Sequence, residues 1–314
     1  MMEYDTKNWL GVVFRYHGTV LPRILMRTVA VAGIGAVLAY ADIVLDWQVP
    51  LSGTVHAMVG VALGLLLVFR TNASYDRYWE GRKLLGGIVN NSRDMARQAA
   101  SYLVESPAAR DRVERYTIAL YVTIRRYLRK EREWPELVDV LDADERARLA
   151  EVAAPPLLVA KWLTDVFAIE ARAGRISEQQ LKLADQTIAD IVDMWGGAER
   201  ILKTPVPLAY AHHIKAFLTI FCFTAPLALV GGMGWYTPIA AAVVAFGLYG
   251  IDEIGVEIED PFGYDPNDLP LDAIGETIAR NVRETLAAAQ SAPAQRLDFI
   301  PRAEQMTAGT GSSS

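Results

Sequence analysis

Residues 252–272 carry eight carboxylates: Asp252, Glu253, Glu257, Glu259, Asp260, Asp265, Asp268 and Asp272. Hard oxygen donors at this density have two uses. Calcium takes about 6–8 oxygen ligands from carboxylates and backbone carbonyls, so the stretch is a candidate cation site. Short acids also accept hydrogen bonds from backbone N–H groups in turns and at helix starts. Asp265 and Asp268 lie just before a helix expected to begin near Pro270. Both readings stand on the residues alone. His56 lies inside an apolar stretch, where an ionisable group is a functional group, a hydrogen-bonding tie to a neighbouring helix, or a residue near the outer interface. His212 and His213 are adjacent, and adjacent helical residues do not face each other, so they make no metal site by themselves. Cys222 is the sole cysteine, which excludes a disulfide within the chain and a cysteine-based zinc site. No nucleophile elbow, zinc-protease helix, phosphate loop or dinucleotide glycine run occurs, so an enzyme is not expected.

The elements that must carry these residues follow from hydropathy. Of 314 residues, 52% are hydrophobic and 22% charged, with mean hydropathy +0.17. Four segments hold the excess. Thr28–Leu45 spans 18 residues with Asp42 as its one charge, and Leu51–Phe69 spans 19 with none. Ala216–Met233 has 18 and Trp235–Gly250 has 16, both uncharged. A membrane-spanning helix needs about 17–25 such residues. The segments pair as two hairpins, joined by Asp46–Pro50 and by a glycine-rich turn ending at Trp235 and Tyr236. Trp47, Trp235 and Tyr236 suit a membrane interface. The connections lack Lys and Arg, whereas Arg15, Arg23, Arg27, Arg70, Arg77, Arg82, Lys83, Lys203 and Lys215 flank the segments. The excess of positive charge on the cytoplasmic side then puts both termini in the cytoplasm of an inner-membrane, multi-pass protein.

The chain therefore divides into an N-terminal cytoplasmic segment (1–27), a first transmembrane hairpin (28–69) and a cytoplasmic helical region (70–212). A second hairpin (213–251), an acidic loop with a C-terminal helix (252–300) and a disordered tail (301–314) follow. In the helical region, Tyr116, Leu120, Ile124 and Leu128 recur every fourth residue. Pro107, Pro155 with Pro156, and Gly174 mark helix boundaries, and Gly196-Gly197 is expected to interrupt the last helix. Residues 70–132 hold 14 Lys and Arg against 7 Asp and Glu, which fits a solvated face, an ion vestibule or a surface touching anionic lipid. The overall charge of −6 argues against nucleic acid as a partner. No secretory leader is evident in the first 20 residues.

Three motifs carry a family resemblance. They are Phe69-Arg-Thr-Asn-Ala-Ser-Tyr-Asp-Arg-Tyr-Trp-Glu-Gly-Arg82, Thr204-Pro-Val-Pro-Leu-Ala-Tyr210, and Glu257-Ile-Glu-Asp-Pro-Phe-Gly-Tyr-Asp-Pro-Asn-Asp-Leu-Pro-Leu-Asp272. In this order the chain resembles bacterial members of the bestrophin family. The resemblance implies an all-α membrane protein with four transmembrane helices and a large cytoplasmic helical region, assembled as a homopentameric ion channel. It implies small monovalent ions as cargo, with chloride favoured over sodium; a non-conducting membrane-anchored scaffold is the other class of function. It places the pore neck on the second span at Thr54, Met58 and Ala62, and a cytoplasmic aperture at Gln180 or Leu181. Relatives bind calcium through side chains matching Asp265 and Asp268 and through backbone carbonyls matching Glu257 and Asp260, with one more near Met2. Here Pro266 and Asn267 interrupt the run of acids, so no cofactor is expected, or calcium at low affinity.

Overall fold

The computed structural model describes residues 7–47 and 51–291. The Met2 carbonyl, residues 48–50 of the first connection and the 301–314 tail lie outside them. All regular structure among the described residues is helical. The elements are α1 (Trp9–Val13), α2 (Leu21–Val44), α3 (Gly53–Tyr102), α4 (Pro107–Leu128), α5 (Ala143–Glu151), α6 (Pro155–Arg172), α7 (Glu178–Lys203), α8 (Leu208–Met233), α9 (Thr237–Glu257) and α10 (Leu271–Ser291). The described parts of residues 1–89, 123–135 and 190–274 form one compact unit, and those of 90–122, 136–189 and 275–314 a second.

In the first unit, α2, α8, α9 and the start of α3 pack around Val31, Leu63, Leu67, Leu218, Phe221, Ala241 and Ala245. Among apolar helices, close packing rather than escape from water supplies the contact energy. Small residues permit it: a Cβ on Gly35 would lie 3.0 Å from Pro238 Cα, and one on Gly60 would lie 2.9 Å from the Phe221 ring. Gly64, one turn after Gly60, has open space beside it in this chain. Three stretches are long and apolar enough to cross a membrane: Leu21–Val44, Gly53–Tyr102 and Leu208–Glu257. The third is divided by a 3-10 turn at Gly234–Tyr236. Gly234 sits at φ 49°, a left-handed backbone that favours glycine, and Pro238 then opens α9.

Several boundaries differ from the sequence expectation. α2 begins at Leu21 rather than Thr28, because Pro22 suits its first turn. α7 runs through Gly196-Gly197 without a break; Gly197 lies against Leu84 of α3, where a Cβ would come 2.9 Å from Leu84 Cδ2. These glycines permit contact rather than end the helix. α5 was not anticipated, although Asp142 and Glu145 cap each other reciprocally at its start.

The second unit has its own core, with Met95, Val113, Leu163, Phe167, Ile188 and Val282 buried. Polar ties fix its helices. Gln98 Nε2 donates to Thr187 Oγ1 at 2.9 Å, and the Tyr116 hydroxyl donates to Glu145 at 2.5 Å. The buried Glu170 carboxylate accepts from Arg175 Nε and from Ser106 Oγ, both at 2.5 Å. Arg175, with help from Ser106 and against burial, holds the Glu170 carboxyl below its ordinary range. A carboxyl whose pKa is lower in the folded than in the unfolded chain stabilises fully above the unfolded value, near 4.5 here, and loses that contribution as pH falls through the folded one. Glu170→Gln is therefore expected to cost about 1 kcal/mol at pH 7. The deficit should shrink when thermal unfolding is followed from pH 5 down to pH 3; a constant deficit would exclude this account.

Candidate functional site

The start of α3 presents two faces. Leu63, Leu67, Arg70 and Ser74, spaced by four, three and four, are buried. Thr54, Met58, Val61, Ala62 and Leu65 lie on an exposed side, Met58 at 68% of full exposure. At about 100° per residue, Thr54, Met58 and Ala62 fall within about 80° of one another. They form an uncharged, mostly apolar stripe with no partner among the described residues of the chain. His56 turns the other way. Its Nε2 lies 3.2 Å from both Phe221 O and Thr224 Oγ1, and its ring stacks on Phe221 with centroids 4.1 Å apart. His56 thus ties α3 to α8, as in the helix-tie reading of its sequence position.

Charges at the ends of these apolar helices are paired inside the protein. Arg70 Nη1 donates to Asp252 Oδ1, and both side chains are 2% exposed. Glu259 lies 3.8 Å from Arg70, and Lys215 lies 3.8 Å from Asp252. This explains why α9 continues past Asp252 to Glu257. About two turns on, Arg77 donates to the carbonyls of Ile201, Thr204 and Glu259, binding α3 to the end of α7 and to the acidic loop.

The acidic loop has its countercharge supplied from α2. Arg23 Nη2 donates to Asp265 Oδ1 at 2.8 Å, and Arg23 Nη1 lies 3.5 Å from Glu257 and 3.8 Å from Glu253. Arg27 Nη1 donates to Glu253 at 3.4 Å. Asn267, one of the two residues that interrupt the acids, donates to Glu257 Oε1 at 2.7 Å and to the Gly18 carbonyl at 3.2 Å. Asp268 Oδ2 accepts from the Asp265 N–H at 2.7 Å, a turn-capping bond. Burial pushes Asp268 up to about 6, and that backbone hydrogen bond offsets it only in part. Asp260 is exposed and accepts only a long bond, 3.4 Å, from Phe262 N.

These residues do not fit a calcium ion. Glu257 and Asp265 are turned onto a guanidinium, Asp268 onto the backbone, and no group of three or more acids, histidines or cysteines among the described residues is arranged to hold a metal. Added calcium from micromolar to millimolar is expected to leave thermal unfolding unchanged. A micromolar calcium isotherm in calorimetry that is lost in Asp268→Ala would refute this. Arg23 and Arg27 escaped the sequence reading as partners of the loop; their only visible signal was an i, i+4 pair of arginines opening an apolar helix.

Gln180 sits at the start of α7, where its Oε1 accepts from Ser177 N at 2.8 Å and Ser177 Oγ at 3.0 Å. Ser177 Oγ in turn accepts from Gln180 N at 3.2 Å, closing a reciprocal cap. Leu181 beside it is half-buried.

Three apolar stretches long enough to cross a membrane mark a membrane protein, and comparison with known proteins gives its family. The sequence model described as "Bacterial/Fungal Bestrophin protein" matches residues 1–284, so the chain belongs to the bacterial branch of the bestrophin family. A voltage-dependent anion channel-forming protein of Nostoc sp. is 39% identical over 288 residues, covering 90% of this chain and 92% of that protein. One from Synechocystis sp. is 35% identical over 284 residues, covering 88% and 92%. A crystal structure of a bacterial bestrophin homologue from Klebsiella pneumoniae superposes with TM-score 0.79 at 27% identity, covering 88% of this chain and all of that one.

Proposed function

We propose that the chain is one subunit of a homopentameric channel in the inner membrane that conducts small monovalent ions, with anions such as chloride preferred. The observation that carries this reading is the unpartnered stripe Thr54, Met58 and Ala62 on α3. A single helix face cannot enclose a pore, so identical faces from neighbouring copies are needed around an axis. The names of the Nostoc and Synechocystis relatives support the anionic cargo. In this reading α2, α3, α8 and α9 are the four spans, both termini are cytoplasmic, and residues 70–212 form the cytoplasmic region. The neck carries no formal charge, so selectivity would come from size, dehydration and the surrounding field. Gln180 or Leu181 would form the second constriction. The acidic loop serves as a brace, held by Arg23, rather than as an ion sensor.

Reconstitution into planar bilayers under a potassium chloride gradient tests the reading. A reversal potential on the chloride side is expected. The opposite sign would make the protein a cation channel, sodium-selective in its physiological setting. No current would leave the scaffold. Mass in mild detergent should correspond to five copies; a monomer or dimer would reject the shared axis.

A further inference from the structure

Within the first unit, a cavity of about 440 Å³ is lined by Tyr127, Lys130, Glu131, Arg132, Leu202 and Lys203. That volume lies in the range of small-molecule sites, about 300–1,000 Å³. Its walls come from the end of α4 with the residues after it and from the last turn of α7. Three of the six lining residues are cationic and one is acidic. The acid, Glu131, is already engaged by Arg126 and by the Tyr264 hydroxyl. Lys203 donates to Glu199 at 2.6 Å and holds its ammonium 5.8 Å from the Tyr127 ring centre. The exposed Lys130 ammonium pairs with no described residue. Three cations thus stand against two carboxylates, Glu131 and Glu199, which leaves one positive charge in excess.

The backbone at Lys130 points the same way. It lies at φ 60°, and its N–H closes the helix end onto the Tyr127 carbonyl at 2.9 Å. This left-handed position after a helix is one that favours glycine. A lysine held there sacrifices local ease and sets an ammonium at the cavity rim, and strain of this kind gathers where a ligand is held.

We propose that this cavity is a phosphate-binding site, filled by the headgroup of an anionic phospholipid or by a small soluble phosphate. A phosphate oxygen accepts several N–H bonds at once and matches Lys and Arg donors. The lipid source has a geometric argument. Lys203 precedes Leu208, where α8 begins, by five residues, which span no more than about 18 Å when extended, and the uncharged run of α8 starts about two turns later at Ala216. Basic pockets at the cytoplasmic edge of membrane helices are suited to anionic headgroups. Leu202 supplies one apolar wall for the part of the ligand behind the phosphate.

The test uses the full-length protein in a mild neutral detergent and isothermal titration with three probes: dioctanoyl-phosphatidylglycerol, dioctanoyl-phosphatidylcholine and inorganic phosphate. Saturable binding of phosphatidylglycerol at one site per chain, absent for phosphatidylcholine, supports the lipid source. Binding of inorganic phosphate that competes with it supports the soluble source. Two variants assign the binding to the cavity. Lys130→Gly is expected to raise the thermal midpoint, since it relieves the backbone, yet to weaken binding at least tenfold. Arg132→Gln should weaken it as well. No binding of any probe, or unchanged affinity in both variants, would overturn the proposal. The measurement does not depend on conduction, so its failure and failure of the channel reading are separable.

Discussion

Arg70→Met is expected to be the most destabilising single exchange outside the apolar core, costing about 3–5 kcal/mol. Arg70 and Asp252 are each 2% exposed, and they meet where α3 and α9 leave their apolar stretches. Removing the guanidinium strands a carboxylate with only the more distant Lys215, 3.8 Å away, to answer it. A buried unpaired charge costs more than the pair ever contributed, so the asymmetry is the diagnostic. The double exchange Arg70→Met/Asp252→Leu should recover most of the loss, because it removes both charges together. Thermal unfolding of the two variants in detergent measures this. A thermal midpoint for Arg70→Met within about a degree of the parent would show that water or another cation already serves Asp252.

Met58→Trp is expected to reduce unitary current at least tenfold, and Met58→Ala to raise it or relax its selectivity. The side chain is 68% exposed on an apolar helix, on the opposite side from the His56 tie to α8. In the proposed pentamer each exchange enters the neck five times, so a modest change of volume becomes a large change of aperture. Thr54 and Ala62, one turn before and after, are small, which leaves Met58 as the bulkiest ring of the stripe. Single-channel recordings decide it: unchanged currents in both variants would remove Met58 from the conduction path.

The apolar stretches were legible in the sequence because hydropathy is a local property; α2, α3, α8 and α9 each cover one of the segments read from it to within two residues at the hairpin end. Their true ends were not, because they depend on partners far along the chain. α9 outlasts its uncharged run only because Arg70, 182 residues earlier, neutralises Asp252. The Gly196-Gly197 pair reads locally as a helix breaker, yet Leu84 beside Gly197 makes it a contact point. The acidic loop was the clearest chemical signal and the least decisive. Its carboxylates were countable, but the partner of Asp265 lies 242 residues away, so the choice between metal and arginine needed the fold. The stripe on α3 was readable by spacing, since four-residue steps keep to one side of a helix. That no other described helix of the chain covers it was not.

The cations that face Glu253, Glu257 and Asp265, Arg23 with Arg27, are part of the covalent chain. A tethered partner stays at an effective concentration on the order of millimolar or above, whatever the surrounding solution contains. Arginine also keeps its charge throughout the physiological pH range. A dissociable ion at the same place would make the rigidity of this loop a readout of that ion's level in the cell. With guanidinium groups there, the join between α2 and the end of α9 needs no ion from solution to hold it. Asp268 in the same loop, raised by burial to about 6, is a group through which protons can reach it.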